Sequence, residues 1–419
     1  MSSLSIAPFF RFAPMKLVGR TIDTDQQTLS TVVHLEPDRR YRPRCHHCGS
    51  QKGTIHSRDH RRRVRDLDLA ASRVHLDVAY RKVCCERCDG VRVEELDFCA
   101  PWQRITKRLA RAIYELCREM TVEAVARHFD LDPKTVRAAE RHFLQEEFSE
   151  VQVDGLRILA IDEISLHKGQ LGYMTVVLDY ETGRVVWMGK GRNKETLDAF
   201  FAHLSDEQKQ GIEAVAVDMW EAFTNRIAHH CPQAKIVFDL FHLVKGFGDV
   251  IDEVRRDEMR KAASQEEKRY VKGSRYLLLK NGENLKSEEQ VRLRELLAVN
   301  ERLNAVYVLK DQLKVIYTYR RRAWAKKALE QWKALAAEVD HPKIRRFIGR
   351  LTFFEDGILN HCDFPIGTSP LEGVNNKIKV IKRRGYGYHD QQYFAWKVMQ
   401  AFPGKEAAND DDEEANFSG

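Results

Sequence analysis

The chain has 419 residues, 43% of them hydrophobic and 31% charged, which indicates a folded multidomain protein and excludes a mostly disordered one. No uncharged apolar run approaches the ~20 residues that a membrane-spanning helix requires. The N-terminal segment is a poor signal peptide, because Arg11 interrupts its apolar stretch and no basic residue precedes that stretch. We therefore expect a cytoplasmic protein without a membrane partner.

The net charge of +7 is unevenly distributed along the chain. Residues 405–419 hold six acids and one lysine, and without them the chain has 68 basic and 56 acidic residues, a net charge of +12. A basic body of this kind indicates an anionic partner, and nucleic acid is the commonest large one. A solvated basic surface is the alternative. The acidic tail is predicted to be disordered.

The N-terminal part of the chain shows no strong pattern in residues 1–40. Alternating apolar and polar residues within 41–100, for example at 74–78, predict short strands. Residues 104–145 have the periodicity of helices.

The pattern changes at residues 156–240, where strand-like runs surround a helical segment near residues 194–210 and predict a mixed α/β sheet. The five runs are Ile158–Ile161, Tyr173–Leu178, Val185–Met188, Ala214–Val217 and Lys235–Phe238. From about Leu243 to Arg350 the pattern is almost entirely helical, and a last helical unit is predicted within residues 365–403.

Two C-x2-C pairs, Cys45/Cys48 and Cys85/Cys88, offer four thiolates, which is the ligand set of a tetrahedral structural zinc site. A glycine follows each pair closely, as the tight turn of a zinc knuckle requires. The 36 residues between the pairs leave room for strands, being more than the usual ribbon spacing of ~15–20.

Other ligand sets remain open at this stage. Cys84 is an alternative to Cys85, and His46 or His47 is an alternative to one of the thiolates. Four unligated, buried thiols are the remaining interpretation. Between the pairs, a basic run that includes Arg61, Arg62 and Arg63 is suited to phosphate contacts, with a solvated basic loop as the alternative.

A helix-turn-helix is predicted after the cysteine pairs. Thr121 caps its first helix, and Asp132 caps the second, which has Pro133 at its first position. The second helix would be the recognition helix, because four polar side chains face outward where base edges and phosphates would lie. These residues are Lys134, Thr135, Arg137 and Arg141. An ordinary helical hairpin is the alternative.

Two acids follow apolar strands of the predicted sheet, Asp162 after the first and Asp218 after the fourth. Acids at the ends of adjacent strands can share divalent cations such as Mg²⁺ or Mn²⁺, and a pair of such cations supports phosphodiester cleavage. Glu372 is the candidate for a third acid. A capping box formed with Ser369 is the alternative role for it.

Several neighbours of these acids are candidates for accessory roles. Glu163 and Asp239 are rival ligands. Trp220 is suited to stacking on an unpaired base, although a tryptophan at such a position is more often part of the core. The segment from Lys314 to Arg350 holds eleven basic residues against three acids, which suits binding to a DNA backbone as well as a solvated helix surface.

The order of these features resembles that of the ISL-three type of bacterial insertion-sequence transposase, a branch of the DDE transposases. The resemblance covers about residues 41–403. It includes Asp239-x2-His242, which matches an element beside the active site of related transposases. Its most specific part is Leu371–Lys379 together with Lys382–Tyr388.

The resemblance implies a multidomain α+β protein. A zinc knuckle and a helix-turn-helix would precede a ribonuclease H-like α/β catalytic domain, and a large all-helical insertion would separate the second acid from the third. The predicted divisions are an N-terminal segment at 1–40, a zinc-binding domain at 41–100, a helix-turn-helix domain at 101–150, the first part of the catalytic domain at 151–245, the insertion at 246–360, the last catalytic helix at 361–404 and the tail at 405–419.

The resemblance also implies the chemistry. Asp162, Asp218 and Glu372 would be the catalytic acids and hold two Mg²⁺ or Mn²⁺ ions per active site, and the four paired cysteines would hold one structural Zn²⁺. The phosphates near the cut would be bound by Lys377, Lys379, Lys382, Arg383 and Arg384. The partners would be double-stranded DNA, both element terminal inverted repeats and target DNA, bound by a homodimer at the bacterial nucleoid.

Two other classes of function stay open. One is a catalytically inert DNA-binding regulator derived from a transposase, and the presence of all three acids argues against it. The other is a ribonuclease H-like, structure-selective nuclease without strand transfer. Such a nuclease would not need two DNA-recognition modules at its N-terminus.

Overall fold

A computed structural model describes residues 7–25, 28–100, 103–165, 172–367 and 369–405. The chain forms two compact units, Met1–Glu147 and Phe148–Gly419. Within the described ranges, no helix is both long enough and apolar enough to cross a bilayer. The predicted disordered tail after Lys405 lies outside the described residues.

The first unit begins with a five-stranded sheet in the order β1-β2-β4-β3, with β5 also paired to β4. The strands are β1 (Met15–Asp25), β2 (Thr28–Pro37), β3 (Gly53–Arg65), β4 (Ser72–Cys85) and β5 (Gly90–Val93). β2 and β4 are parallel, and the other pairs are antiparallel. Val74, Leu76 and Val78 of β4 are fully buried, as the alternation in this segment predicts. β1 and β2 lie largely in a region where the sequence shows no clear pattern.

Three helices complete the first unit: α1 (Lys107–Glu119), α2 (Val122–Phe129) and α3 (Pro133–Phe148). Thr121 caps α2 by accepting a hydrogen bond from the N–H of Ala124, and Asp132 accepts one from the N–H of Lys134 at 2.7 Å. Val125 of α2 and Val136 of α3 are fully buried in a shared core. The predicted starts of α2 and α3 are therefore confirmed.

The second unit contains a five-stranded sheet in the order β10-β9-β6-β7-β8. The strands are β6 (Ile158–Ser165), β7 (Tyr173–Asp179), β8 (Val185–Lys190), β9 (Ala214–Val217) and β10 (Lys235–Phe238). β9 is parallel to β6 and to β10, whereas β7 is antiparallel to β6 and to β8. This is the mixed α/β sheet that the sequence predicts.

Helices surround this sheet and form a large block between β10 and the C-terminal helices. The helices near the sheet are α4 (Lys194–Phe201), α5 (Asp206–Gln210) and α6 (Glu221–His230). The block consists of α7 (Leu240–Lys261), α8 (Gln265–Lys272), α9 (Arg275–Leu279), α10 (Ser287–Val299), α11 (Glu301–Ile316), α12 (Arg322–Glu338), α13 (Pro342–Phe353) and α14 (Glu355–Leu359). The last helices are α15 (Ser369–Arg384) and α16 (Gln391–Ala401), and short 3-10 helices occupy Ala7–Phe10, Gly282–Asn284 and Asn360–Cys362.

The helical block has an aromatic core in which Phe247 of α7 contacts Trp332 of α12 and Phe347 of α13, with ring centroids 5.3 Å and 5.1 Å away. The block also holds the sheet by polar contacts. The hydroxyl of Tyr317 donates to the carbonyl of Phe238 at 3.0 Å, and the amide of Asn360 donates to that of Ile236 at 2.8 Å. Strand β10, and the residues that follow it, are therefore held by the helical block.

Candidate active site

Asp162 and Asp218 lie side by side on neighbouring parallel strands. The last residue pair of β6 and β9 is Ala160 with Ala216, and each aspartate comes two residues after its alanine. The two carboxylates therefore reach the same level and the same face of the sheet. Asp218 directly follows β9, as predicted. Asp162 lies within β6, because the antiparallel pairing with β7 continues to Ser165.

His242 comes to this pair from the first turn of α7. Asp239 caps this helix by accepting a hydrogen bond from the N–H of Phe241 at 2.6 Å. The cap fixes the direction of the first turn. The Nδ1 atom of His242 lies 2.6 Å from Oδ1 of Asp218. The sequence element Asp239-x2-His242 is thus built as a helix cap followed by a partner of the second aspartate.

Asn375 of α15 contacts the first aspartate. Its Nδ2 donates to Oδ2 of Asp162 at 2.5 Å, and the N–H of Glu163 donates to Oδ1 of the same carboxylate at 2.7 Å. Glu372 lies one turn earlier on α15, and residues three apart share a helix face. The side chain of Glu372 is exposed. The structure therefore brings the helix that carries Glu372 to Asp162, with Asn375 making the contact.

Asn375 is a site residue that the sequence analysis missed. The signal was the i, i+3 spacing of Glu372 and Asn375, which places an amide beside the acid on one helix face. The capping box proposed as the alternative role of Glu372 depends on the side chain of Ser369, which lies outside the described residues.

The site is electrostatically crowded. Burial raises the pKa of Asp162 above its usual value, and the charge of Asp218 raises it further. Burial, followed by the charge of Asp162, raises the pKa of Glu163 to about 7, and Arg192 opposes this shift. Burial alone would lower the pKa of His242, but the carboxylates around it, chiefly Asp218, raise it above its usual value. For both acids, burial is the larger cause of the raised pKa, and the charge of the neighbouring aspartates adds to it.

The chemistry of these side chains fits a divalent cation. Oδ1 of Asp218 accepts no hydrogen bond of acceptable angle from the described residues despite its 2.6 Å approach to His242. Oδ1 of Asn375 is also buried and accepts none from them. Carboxylate and amide oxygens of this kind are hard ligands suited to Mg²⁺ or Mn²⁺, and a cation among them would offset the repulsion between the acids.

The three predicted acids do not form a single tight cluster. Across the part of the chain that the structure describes, only the four paired cysteines form a group of three or more metal-binding side chains whose ligand atoms all lie within 4.8 Å of one another. The structure thus brings Asp162 and Asp218 together and places Glu372 on an adjacent, exposed turn.

The four paired cysteines converge in the first unit. The Sγ atoms of Cys45 and Cys88 are 3.9 Å apart, and those of Cys48 and Cys85 are 3.6 Å apart. Four sulfurs around a tetrahedral ion with bonds of ~2.3 Å are separated by about 3.8 Å. The geometry therefore fits a tetrahedral metal ion.

The turns around the cysteines explain why they converge. Gly49 has φ +68° and Asp89 has φ +45°, so each C-x2-C pair ends in a left-handed residue, as predicted for a knuckle. The backbone N–H of Cys88 holds the pKa of the Cys85 thiol at about 7, below its usual value. Cys84 is exposed, because adjacent residues of a strand face opposite sides.

His46, one of the two histidines predicted as alternative zinc ligands, contacts the backbone of β5. Nδ1 of His46 lies 2.9 Å from the carbonyl oxygen of Val93 in β5. His46 therefore helps to hold β5 beside the first cysteine pair.

The predicted DNA-binding residues of the first unit differ in their exposure and in the distances to their nearest carboxylates. Arg61 is paired with Asp77 at 2.8 Å and with Glu36 at 3.0 Å. Arg62 lies over the ring of Tyr80 and is half-buried. On α3, the guanidinium of Arg137 lies 3.8 Å from the carboxylate of Glu123. Arg63, Lys134, Arg137 and Arg141 are exposed, and Thr135 is half-buried.

The basic residues of α15 also divide into two kinds. The ammonium of Lys377 donates to the carbonyl of Ala401 at 2.7 Å and lies 4.7 Å from the ring centroid of Phe402, so it ties α15 to α16. Lys379, Arg383 and Arg384 are exposed, and Lys382 is half-buried. These four side chains follow the helix toward its C-terminal end.

Trp220 stands beside Asp218 at the start of α6. Its ring stacks on that of Phe223 with centroids 5.2 Å apart, and the guanidinium of Arg192 lies 5.3 Å from its centroid. Two partners already contact this ring. The packing supports a structural role for Trp220 more than a stacking contact with an unpaired base.

Comparisons with known proteins agree with this architecture. A family model for ISL3 transposases, described as a transposase, matches residues 159–398, which is more than half of the chain. A second model, described as the helix-turn-helix domain of transposase family ISL3, matches residues 94–144. The first implies a ribonuclease H-like fold and a need for divalent metal ions, and the second implies DNA binding.

Curated relatives give the same result. The chain is 44% identical over 362 residues to the transposase for insertion sequence element IS1001 of Bordetella parapertussis, covering 86% of this chain and 89% of the relative. It is 26% identical to the transposase for insertion sequence element IS1557 of Mycobacterium tuberculosis, covering 93% of this chain and 96% of the relative. The chain therefore belongs to the ISL3 family of insertion-sequence transposases, enzymes that cut and transfer DNA strands.

Proposed function

We propose that Asp162, Asp218 and Glu372 form the active site with which this transposase cuts the ends of its insertion sequence and joins them to target DNA. The observation that carries the proposal is the placement of Asp162 and Asp218 at one level of the sheet, with α15 attached to Asp162 through Asn375. Binding of shared cations would explain why acids from three separate elements are needed at one site.

In this proposal, two Mg²⁺ or Mn²⁺ ions would favour ionisation of the attacking water in the cleavage step and of the released 3′-hydroxyl in the joining step, and would stabilise the leaving oxygen in each. Asp162 and Asp218 would hold these ions, together with Glu372 from the exposed turn of α15. His242 orients the Asp218 carboxylate. Asn375 fixes Oδ2 of Asp162, and Glu163 and Asp239 are the residues to test if Glu372 is not a ligand.

We assign recognition of the element ends to the first unit. One structural Zn²⁺ held by the four paired cysteines would stabilise a region with a small core of its own. The α3 side chains Lys134, Thr135, Arg137 and Arg141 would read base edges and bind phosphates. Because an element has two ends, a homodimer would supply one active site to each, and the enzyme would act at the nucleoid.

We further propose that residues 246–360 are an insertion that supports the active site. Arg350 of α13 donates to the carbonyl of Met219, the residue after Asp218, at 2.6 Å. With the contacts of Tyr317 and Asn360 to β10, this would fix the loop that carries Asp218 and the strand that precedes the helix of His242. The other predicted divisions, at 40, 100, 150, 360 and 404, are part of the same proposal.

A cleavage and joining assay tests the proposal. The substrate is a duplex that carries the inverted repeat flanking the gene, with a supercoiled plasmid as target. The expected result is a Mg²⁺-dependent nick at the repeat boundary, followed by joining of the new 3′-hydroxyl to the plasmid. Binding without cleavage would support an inert regulator, and cleavage without joining would support a nuclease.

A further inference from the structure

Arg192 is placed beside the acids by two aromatic rings. Its guanidinium carbon lies 4.1 Å from the ring centroid of Tyr173 and 5.3 Å from that of Trp220. Trp220 comes two residues after Asp218, and Tyr173 begins β7, the strand paired with β6.

The backbone that carries Arg192 is fixed. Gly191 has φ +104°, and a Cβ there would lie 2.7 Å from Oγ1 of Thr196. The N–H of Gly191 donates to the carbonyl of Tyr173 at 2.8 Å, and the hydroxyl of Thr175 donates to the carbonyl of Gly191 at 2.9 Å. Asn193 then caps α4. The loop between β8 and α4 therefore presents Arg192 in a defined direction.

The two aromatic contacts of Arg192 leave its guanidinium N–H groups available as hydrogen-bond donors. Aromatic rings contact a guanidinium through its flat faces, whereas its N–H groups point outward in the plane. Among the described residues, no carboxylate lies within 4.0 Å of the Arg192 nitrogens, the distance that defines an ion pair. Another half-buried arginine of this unit does have such a partner, since Arg302 lies 3.0 Å from Glu258.

We propose that Arg192 binds a phosphate of the cleaved DNA strand next to the scissile bond. The planar edge of a guanidinium matches two phosphate oxygens, and two aromatic faces restrict its rotation before DNA arrives. Tyr173 and Trp220 are positioning residues that act through Arg192. The inference rests on the proposed function, since it names a substrate contact of the same active site.

Phosphate-neutralisation interference tests this contact. Duplexes with the element end each carry one uncharged methylphosphonate linkage at a different position near the cut. Wild-type protein should cleave more slowly, by on the order of 10-fold or more, when the contacted phosphate is neutral. Arg192→Gln should lower cleavage of normal DNA by on the order of 10²-fold, and neutralising that one phosphate should then have no further effect.

Matched variants make the result specific. Arg157→Gln removes an arginine at the opposite end of the same parallel strands, and it should retain the full wild-type interference pattern. Arg192→Lys keeps the charge without the planar edge, and it should show reduced sensitivity at the same phosphate. If Arg192→Gln cleaves too slowly to measure, the interference pattern of Arg192→Lys is compared with that of the wild type instead. Thermal unfolding of each variant checks that it is folded.

The possible outcomes are distinguishable. If folded Arg192→Gln, or Arg192→Lys in its place, keeps the wild-type interference pattern with equal magnitudes, Arg192 contacts no phosphate and serves only as a counter-charge for Glu163. If wild-type protein cleaves none of the duplexes with Mg²⁺ or Mn²⁺, the proposed function itself fails. Loss of sensitivity at one phosphate near the cut, with the others unchanged, supports the inference.

Discussion

Two aspartates at one level of a sheet are costly to keep charged and close together. Asp162 is largely buried, and both burial and Asp218 raise its pKa. In return, Asn375 and the N–H of Glu163 fix both of its oxygens. A carboxylate held so firmly against repulsion is well prepared for cations, because little reorganisation is needed when they bind.

Replacing the acids one at a time tests their shared role. Asp162→Asn, Asp218→Asn and Glu372→Gln keep size but remove the charge that holds cations, so each should abolish cleavage and joining while DNA binding persists. Because the residues act as one unit, a double variant should be scarcely worse than a single one. Cleavage rates and gel-shift titrations on the same DNA measure both effects.

Glu372 is the most informative of the three. If its role were only to cap α15, Glu372→Gln would cost ~0.5–2 kcal/mol of stability and leave cleavage measurable in folded protein. A near wild-type rate in that variant would reject Glu372 as a ligand. Glu163→Gln and Asp239→Asn would then be the variants to compare.

The sequence alone could predict that Asp162 and Asp218 lie on adjacent strands, but it could not predict all their partners. Asp162 and Asn375 are 213 positions apart, and their contact depends on how α15 docks on β6. No local pattern specifies that docking. His242 was recognisable only by its spacing from Asp239, whereas its 2.6 Å approach to Asp218 requires the cap that aims α7.

Helices and strands were predictable from the sequence where the periodicity of the apolar residues and the capping residues indicated the same element. The five strand runs of the second unit and the helices α1–α3 were predictable for that reason. β1 and β2 were not, because β2 pairs with β4, which begins more than 30 residues later, and β1 pairs only with β2 among the described strands. The pairing of β6 with β7 likewise extends β6 beyond Asp162.

The α3 and α15 helices should differ in what they contribute to DNA binding. Arg137 is exposed on the predicted recognition helix, so Arg137→Ala should weaken discrimination between element-end and random DNA. Lys382 lies near the end of α15, so Lys382→Ala should weaken binding to both about equally and reduce the salt dependence. Affinities at several salt concentrations decide this, and equal loss of specificity from both changes would contradict it.

The helical block contains a buried lysine with a testable pH dependence. Lys310 of α11 donates to the carbonyls of Leu278 at 2.7 Å and Lys280 at 2.8 Å, and burial lowers its pKa to about 8. Between that value and the ordinary 10.5, the unfolded state binds more protons than the native state, so Lys310 favours folding more as the pH rises.

Lys310→Met removes this titration while keeping a similar length. The difference in unfolding free energy between wild-type protein and the variant should therefore grow in favour of the wild type from pH 7.5 to 10, by about 1–3 kcal/mol. Urea unfolding at both pH values measures it. A difference that does not change with pH would mean that Lys310 keeps its ordinary pKa in the folded protein.

For the whole molecule, the two units have separate hydrophobic cores and different sources of stability. The core of the first unit's sheet contains residues such as Val33, Leu76 and Val78, and its cysteine cluster stands apart with little apolar surface. The second unit has a continuous core that extends from the sheet through the helical block. A metal held by the cysteines would therefore matter for one unit and not for the other.

Removing the metal should separate the two units in a calorimeter. Purified protein should hold one zinc per chain, and a strong chelator in Mg²⁺-free buffer should lower the temperature of one unfolding transition while leaving the other unchanged. Cys85→Ser should behave like the chelated protein, whereas Cys84→Ser should retain zinc, because the Cys84 side chain is exposed and outside the cluster. Chelated protein should also lose its preference for element-end DNA. Zinc-free protein as isolated, or an equal shift of both transitions on chelation, would contradict a structural zinc site confined to the first unit.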